Sequence, residues 1–212
     1  MSLTTRAPAG GCVLAVALLA CSSPASVVKQ QTFTGTGGAL RKVAMMPPYP
    51  RPEFVRGPLP DSVDAGTAAE LVGRFLTEAL AKQGIAVVPP GDLALAFMSA
   101  GQVVPRLDPR AAAEMAAREF GASAVLLSEV WRYRNRGGEA LGTSIAASVA
   151  FSTTLYAAPG GAKLWTARFD ETQESLMANP LKALRYPGGG MRWLSAAEFA
   201  RWGADEMIAA LR

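Results

Sequence analysis

From about residue 40 onward the hydrophobic positions of this chain follow two different periods. Between Ala68 and Leu80 they recur every three or four residues, which is the spacing of one buried helix face. From Ser144 to Tyr156 apolar and polar residues alternate, which indicates a strand with one buried face. Short continuous apolar runs, typical of buried strands, occur at 43–46, 85–88 and 124–127. The pattern therefore predicts strands and helices combined in one fold.

Capping residues mark where the predicted helices begin and end. Thr67-Ala68-Ala69-Glu70 has the pattern of a capping box, and Gly84 suits the left-handed position after the same helix. Asp108-Pro109 predicts the start of a later helix, because an Asp cap is followed by proline at the first helical position. A second capping box, Ser195-Ala196-Ala197-Glu198, opens the last helix.

The segment from Pro47 to Pro60 contains six prolines, with Tyr49 and Phe54 among them. Proline fixes φ and removes a backbone donor, so we expect an extended surface loop here and not a strand of the sheet. The two aromatic rings of this loop either bind a partner or hold the loop against the core.

The order of the predicted elements is β-α-β-α-α-β-β-β-α. Strands separated by helices favour parallel pairing, whereas the later hairpins favour antiparallel pairing. We therefore predict an α/β fold of α+β character, with a mixed sheet of about five strands and helices packed against it. Residues 40–212 are expected to form this single domain, because their number is normal for one core.

A short apolar segment precedes this domain and ends in a cysteine. Residues 1–20 have the features of a secretory signal peptide, since Arg6 is followed by an apolar run too short to span a membrane. The run Leu18-Leu19-Ala20-Cys21 resembles the lipobox of bacterial lipoproteins. The alternative is an ordinary signal peptide that is cut near Ala20 or Ala25.

The lipobox resemblance implies a membrane address. It implies that residues 1–20 are removed and that Cys21 carries a diacylglycerol group and an N-acyl chain such as palmitate. Ser22 follows the cysteine, whereas lipoproteins retained in the inner membrane usually carry aspartate there. The resemblance therefore implies a lipid anchor in the outer membrane, with the protein facing the periplasm. Residues 21–39 are rich in Ser, Thr, Gln and Gly and are expected to form a flexible tether.

The composition excludes several kinds of chemistry. The chain contains no histidine, which removes the commonest general base and the commonest zinc ligand. Loss of Cys12 with the signal peptide would leave an acylated Cys21 as the single cysteine, so thiolate chemistry is not expected. Basic residues (21) exceed acidic ones (17) only slightly, which does not indicate nucleic-acid binding. We therefore expect no cofactor other than the covalent lipid.

The order of elements also resembles the α/β domain of several periplasmic lipoproteins and their relatives. The matching pieces are an opening strand that ends in proline (Val43–Pro47) and a second strand preceded by glycine (Gly84–Val88). A third strand follows a Gly-Ala-Ser segment (Gly121–Leu127), and a late strand contains Leu164–Trp165. This group includes the curli secretion channel, the lipoprotein activators of penicillin-binding proteins and the amino-terminal domain of the TolB protein. The resemblance implies binding to envelope proteins or self-association, and no enzymatic activity.

Two groups of aromatic and basic residues are candidates for contact with a partner. The first lies at the end of a predicted strand and comprises Trp131, Arg132, Tyr133, Arg134 and Arg136. Aromatic and guanidinium side chains are enriched at protein interfaces. In the alternative interpretation, Trp131 and Tyr133 pack on one face of the strand while the arginines stay solvated on the other. The second group lies in predicted loops and comprises Tyr49, Phe54, Tyr186 and Trp193.

Two further hypotheses rest on single segments. The Ser144–Tyr156 segment has the length of a transmembrane β-strand of the kind that the curli channel inserts, but a strand covered by helices on one side shows the same alternation. Asp170, Glu171 and Glu174 either serve a carboxylate-dependent glycan hydrolase or lie in a solvated loop.

The leading hypothesis is a non-catalytic, outer-membrane-anchored lipoprotein that binds or regulates another component of the cell envelope, such as a peptidoglycan synthase or a secretion assembly. Self-assembly into a secretion or pore component comes second, and a glycan hydrolase comes third.

We expect the Cys21→Ser variant to leave the membrane fraction and to keep its signal segment, because the serine hydroxyl does not replace the thiol as acyl acceptor. Fractionation of cells and the mass of the protein report both effects. Cys12→Ser is the matched control, since that residue lies within the segment to be removed. A Cys21→Ser protein that is still processed and still membrane-bound would show that the lipoprotein assignment is wrong.

Overall fold

The computed structural model describes residues 26–33, 40–59 and 62–211. The predicted signal peptide, Cys21 and most of the predicted tether lie outside the described residues.

Strands and helices of the described chain follow the predicted order, with additional short elements. In chain order they are β1 (Val28–Thr32), β2 (Lys42–Met45), β3 (Tyr49–Arg56), α1 (Ala65–Lys82), β4 (Ala86–Val88), α2 (Pro90–Ser99), α3 (Pro109–Phe120), β5 (Ala124–Arg134), β6 (Gly137–Glu139), β7 (Gly142–Ile145), β8 (Ser148–Ala157), β9 (Lys163–Thr172), α4 (Pro180–Ala183) and α5 (Ala196–Ala209).

One mixed sheet connects seven of these strands. Its order is β1-β9-β8-β5-β2-β4. Both β2 and β3 pair with the same side of β5, β2 along its first residues and β3 along its later ones. The pairs among β2, β3, β4 and β5 are parallel, whereas β5, β8, β9 and β1 pair antiparallel. The predicted mixed sheet with parallel early strands and antiparallel late strands is therefore confirmed. It has seven strands instead of about five, and β6 and β7 form a separate hairpin.

The first additional strand, β1, lies within the predicted tether. It pairs antiparallel with β9, from Val28 opposite Phe169 to Thr32 opposite Trp165. Val28 is buried, and the indole nitrogen of Trp165 donates a hydrogen bond to Gln30 Oε1 at 2.9 Å. The tether prediction is thus wrong for these residues. Because β1 buries a single apolar side chain, its polar sequence carries no strand periodicity.

The second additional strand, β3, lies in the proline-rich segment. The prediction of a loop without sheet pairing is wrong here, since Tyr49 pairs with Glu129 and Arg56 with Tyr133. The register shifts between Pro50 and Val55. Within the described sheet β3 pairs with β5 alone, so its prolines occupy an edge, where a missing N–H breaks no second ladder.

The helix starts show one correction and one confirmation. Helix α1 begins at Ala65 with Asp64 as its cap, because Asp64 Oδ1 accepts a hydrogen bond from the Thr67 backbone at 2.9 Å. The predicted capping box at Thr67 is therefore wrong by three residues. The capping box of α5 is confirmed by reciprocal bonds between Ser195 and Glu198. Hydrogen bonds from Arg192 and Ser195 lower the pKa of Glu198 to about 2.

The main core lies between the sheet and the pair α1 and α5. Its aromatic centre is Phe169, whose ring centroid lies 5.6 Å from those of Phe151, Phe199 and Trp202. The opposite face of the sheet is covered by α2 and α3 at one end only. A smaller core forms there from Ala44, Val88, Leu93, Phe97, Met115, Val125 and Leu127.

The alternating segment Ser144–Tyr156 does not form one strand. It is divided at Ala146-Ala147 between β7 and β8. Strand β8 lies inside the sheet, between β5 and β9, and its side chains Val149, Phe151 and Leu155 are buried in the core under the helices. The structure thus has the helix-covered strand that was the alternative to a membrane strand.

Gly203 allows α5 to lie directly on the central ring of the core. A Cβ at this position would lie 2.7 Å from Cγ of Phe169, and Phe169 is itself fully buried. Since neither the helix nor the ring has room to move, any side chain here would force them apart.

We therefore expect Gly203→Ala to lower the free energy of unfolding by about 1–3 kcal/mol, the usual cost of overpacking a core. Urea denaturation of the two proteins measures the difference. Gly91→Ala in α2 is the matched control, because nothing lies within 4 Å of a Cβ at that position, and no loss of stability is expected. Equal unfolding curves for Gly203→Ala and the unchanged protein would contradict the close packing of α5.

Candidate functional site

A bulge at Trp131 decides which side chains of β5 reach the surface. Val130 pairs with Phe151 and Arg132 pairs with Ala150, so Trp131 is an extra residue in the strand. Val130 and Tyr133 face the main core, and Tyr133 is only 3% exposed. Trp131 and Arg132 therefore lie together on the opposite face. The alternative interpretation, in which Trp131 and Tyr133 share a face, is wrong because it assumed an unbroken alternation.

Trp131 and Arg132 belong to the part of the sheet's second face that α2 and α3 leave uncovered. We call it the open face; its side chains come from the second half of β5 and from β8, β9 and β1. Residues paired across these strands share a face, which places on it Glu129, Trp131, Arg132, Ser148, Ala150, Ser152, Thr154, Thr166, Arg168, Asp170, Thr172, Lys29 and Gln31.

Four residues of the open face form one connected group, which we call the Trp131 cluster: Trp131, Arg132, Arg168 and Asp170. The guanidinium carbon of Arg168 lies 4.5 Å from the centroid of the Trp131 ring. Asp170 accepts a hydrogen bond from Arg168 through one oxygen and from Arg132 through the other, each at 2.5 Å. Arg132 also donates from Nε to Ser148 Oγ at 2.7 Å. Contacts within the chain itself therefore hold the four side chains together.

The Trp131 cluster carries an excess of positive charge, because one carboxylate is shared by two guanidinium groups. Burial of Asp170 raises its pKa, but the hydrogen bonds from Arg168 and Arg132 outweigh this and hold the pKa below its usual value. Asp170 is consequently charged throughout the physiological range. Outside the Trp131 cluster, Arg51 on β3 forms an ion pair with Glu129 at 2.8 Å. The hydroxyl groups of Thr154 and Thr166 are hydrogen-bonded to each other at 3.0 Å.

Several predicted contact residues have other surroundings. Tyr133 and Tyr186 are buried; burial raises the pKa of Tyr133 to about 12, and the Tyr186 ring packs 5.6 Å from that of Phe199. Neither residue is available to a partner. Arg136 donates hydrogen bonds to the carbonyl groups of Trp193 and Gly138, so it joins the β6–β7 hairpin to the segment before α5.

The remaining predicted residues are not brought together. Arg134 is half-buried beside Gly57, at the end of β5. Tyr49 lies at the border of the open face, where Arg106 is 5.5 Å from its ring centroid. Phe54 packs against the main core, and Trp193 is half-buried near the β6–β7 hairpin. The second predicted group is therefore not a single site.

The three carboxylates of the glycan hydrolase hypothesis do not form one site. Asp170 and Glu171 lie in β9, which corrects the prediction of a solvated loop, and as neighbours in a strand they point to opposite faces. Glu171 and Glu174 both bind Lys182 Nζ, at 2.8 and 2.7 Å. Hydrogen bonds from Lys182 and Asn179 hold the pKa of Glu174 below its usual value. A glycosidase needs two facing carboxyl groups, one of them protonated, and this arrangement does not supply them.

A groove of about 610 Å³ lies on another part of the surface, between α1 and the prolines that precede and begin β3. Gly73 permits this arrangement, because a Cβ there would lie 2.9 Å from Cγ of Pro48.

Among residues 26–33, 40–59 and 62–211, no three His, Cys, Asp or Glu side chains come together as a metal site. No helix in those ranges is long and apolar enough to cross a membrane.

Comparison with known proteins gives likeness of fold. No family model matches the chain, and no curated protein sequence matches it. The solved structures to which it is similar include the PelC dodecamer from Paraburkholderia phytofirmans (18% identity, 87% of this chain and 95% of that chain, TM-score 0.46). They also include the lipoprotein GNA1162 from Neisseria meningitidis (18% identity, 68% and 92%, TM-score 0.42) and the LpoB C-terminal domain from Escherichia coli (21% identity, 63% and 84%, TM-score 0.40). At these identities and TM-scores the likeness concerns the fold alone, and it assigns no role and no site residue to this chain.

Asp170 is expected to stabilise the fold by joining two arginines. We expect Asp170→Asn to lower the free energy of unfolding by about 1 kcal/mol at neutral pH, because the variant leaves Arg132 and Arg168 close together without their shared partner. The pKa of Asp170 is lowered in the folded protein, so this contribution is complete above the pKa of the unfolded chain. It is lost as the pH falls through the lower pKa of the folded protein. The two proteins should therefore converge in stability in strong acid.

Asp205→Asn is the control for this prediction. Asp205 binds Lys82 at 2.8 Å, and its side chain is as exposed as that of Asp170 (37% and 36%). Because it has a single cationic partner at the surface, a loss of no more than about 0.5 kcal/mol is expected. Equal losses for both variants, or a difference that persists unchanged in acid, would show that the shared carboxylate has no special role.

Proposed function

We propose that this chain is a non-catalytic lipoprotein of the outer membrane that binds another protein of the cell envelope through its open face. The observation that carries the proposal is the Trp131 cluster, an ordered group of aromatic and guanidinium side chains on a part of the sheet without helices. The lipobox resemblance at Cys21 supports the membrane address.

The make-up of the Trp131 cluster suits a protein interface. Trp and Arg are the residues whose truncation most often weakens protein complexes. Arg132 and Arg168 are already fixed by Asp170, so little side-chain freedom would be lost when a partner binds. Both guanidinium groups keep part of their surface exposed and retain N–H groups for further bonds.

The charge of the open face indicates the chemistry of the partner. The Trp131 cluster has two cations and one anion, and Lys29 on β1 pairs in register with Arg168. A surface with Asp or Glu side chains would complement it, because carboxylates accept paired hydrogen bonds from guanidinium groups. A second copy docked through the same face by a two-fold axis would bring like charges together. A different, acidic envelope protein is therefore the better fit.

Crosslinking in intact cells tests this proposal. A photo-reactive amino acid in place of Ser152, at the centre of the open face, should give an adduct with one envelope protein. Trp131→Ala and Arg168→Ala should each reduce that adduct about tenfold or more, as expected for residues central to an interface.

Arg201→Ala is the matched control. Its guanidinium carbon lies 4.5 Å from the Phe75 ring centroid, the same distance as in the Arg168–Trp131 pair, but on the helix side of the molecule. The adduct should be unchanged in this variant. An adduct with twice the mass of the chain would favour self-assembly, and equal loss in all three variants would contradict a role for the open face.

A further inference from the structure

Several strongly exposed apolar side chains lie at one end of the molecule. Leu141 at the tip of the β6–β7 hairpin is 89% exposed, and Met177 and Met191 in the segment between β9 and α5 are 92% and 80% exposed. Together with Leu176 and Trp193 they border one groove of about 280 Å³. We call these five residues the apolar end. Removing the exposed Leu and Met side chains from water is favourable, so this end favours an apolar environment.

The apolar end is fixed to the rest of the fold by buried hydrogen bonds. Gln173 is buried, donates to the Arg192 carbonyl at 2.9 Å and accepts from the Leu194 backbone at 2.8 Å. The Trp193 backbone donates to the Ala140 carbonyl at 2.8 Å, which joins the segment to the hairpin. The exposed side chains are therefore presented on an ordered scaffold.

The chain leaves the described fold toward Cys21 at this same end. β1 begins at Val28, which pairs with Phe169 near the carboxyl end of β9, and β9 leads directly into the segment of Met177 and Met191. The seven residues from Ser22 to Val28 span at most about 25 Å when fully extended. A lipid on Cys21 would therefore hold the apolar end close to the membrane surface.

We propose that the apolar end inserts into the interface of the membrane that holds the acyl anchor. The proposal rests on the lipid anchor of the proposed function, but it uses residues other than those of the open face. Two cationic groups beside it are paired, Arg192 with Glu198 and Lys182 with Glu171 and Glu174, so insertion depends on apolar area and not on anionic lipid. The side chains of Leu141, Met177 and Met191 enter the headgroup region, and the half-buried Trp193 lies at its boundary.

Fluorescence quenching by lipid tests the orientation with the full, acylated chain. An acylated Cys21 leaves no free thiol in the processed chain, so Met177→Cys and Met191→Cys each provide one site for an environment-sensitive dye. The proteins are placed in phosphatidylethanolamine and phosphatidylglycerol vesicles that contain lipid with brominated chains. We expect the dyes at 177 and 191 to shift to the blue and to lose most of their emission. Neither effect should change between about 0.1 and about 1 M salt.

Met98→Cys is the matched control. Met98 lies near the end of α2 and is 65% exposed. Its neighbours in α2 line a groove together with Glu119 and Phe120, which places Met98 at the opposite end of the sheet from the apolar end. A dye at position 98 should keep its emission, although the protein is held on the same vesicles by the same lipid anchor.

Three outcomes would overturn the proposal, and they are distinguishable. Equal emission from all three dyes in protein that floats with the vesicles overturns membrane insertion and leaves the anchor intact. Protein that does not float overturns the anchor and the insertion with it. Crosslinking of position 177 to a protein in intact envelopes, without quenching in vesicles, assigns the apolar end to a protein partner instead.

Discussion

The bulge at Trp131 is the constraint on which the rest of the structure depends. One extra residue in β5 changes which side chains face the core, so that Val130 and Tyr133 are both directed to the helix side. Trp131 and Arg132 are consequently neighbours on the open face, although a regular strand would separate them. Without the bulge, strict alternation from Val130 would turn Arg132 into the core and Tyr133 out of it. Burying an unpaired guanidinium group in this way is costly.

The two faces of the sheet are covered unequally, and this gives the open face its polar character. Helices α1 and α5 bury the whole length of one face, with Gly203 of α5 in contact with Phe169. Helices α2 and α3 cover only the end of the other face near Val125 and Leu127. The exposed remainder keeps its strands ordered through hydroxyl pairs and the shared carboxylate of Asp170, which satisfy side-chain polar groups without a second layer.

Much of the fold follows from local patterns, whereas the site depends on pairing between distant parts of the chain. Helix spacing, the capping box at Ser195 and the apolar runs place the main strands and helices, because each signal lies within a few residues. The strands β1 and β3 are missed because β1 depends on pairing with a strand more than 100 residues away and β3 is rich in proline. Trp131 and Arg132 are recognisable by composition, but their partners Arg168 and Asp170 require the register of three strands. Alternation along β9 does place those two partners on one face, opposite Trp165, Ala167 and Phe169.

The position of β1 connects the proposed anchor to the proposed binding face. β1 is hydrogen-bonded to β9 along its length, and Lys29 lies directly opposite Arg168 of the Trp131 cluster. A lipid on Cys21 would therefore hold the Trp131 cluster near the membrane as well as the apolar end, since both lie close to the carboxyl end of β9. Insertion of the apolar end would also fix the direction in which the open face points, because two separate attachments restrict rotation about the tether. The partner that fits this arrangement has its acidic surface close to the same membrane.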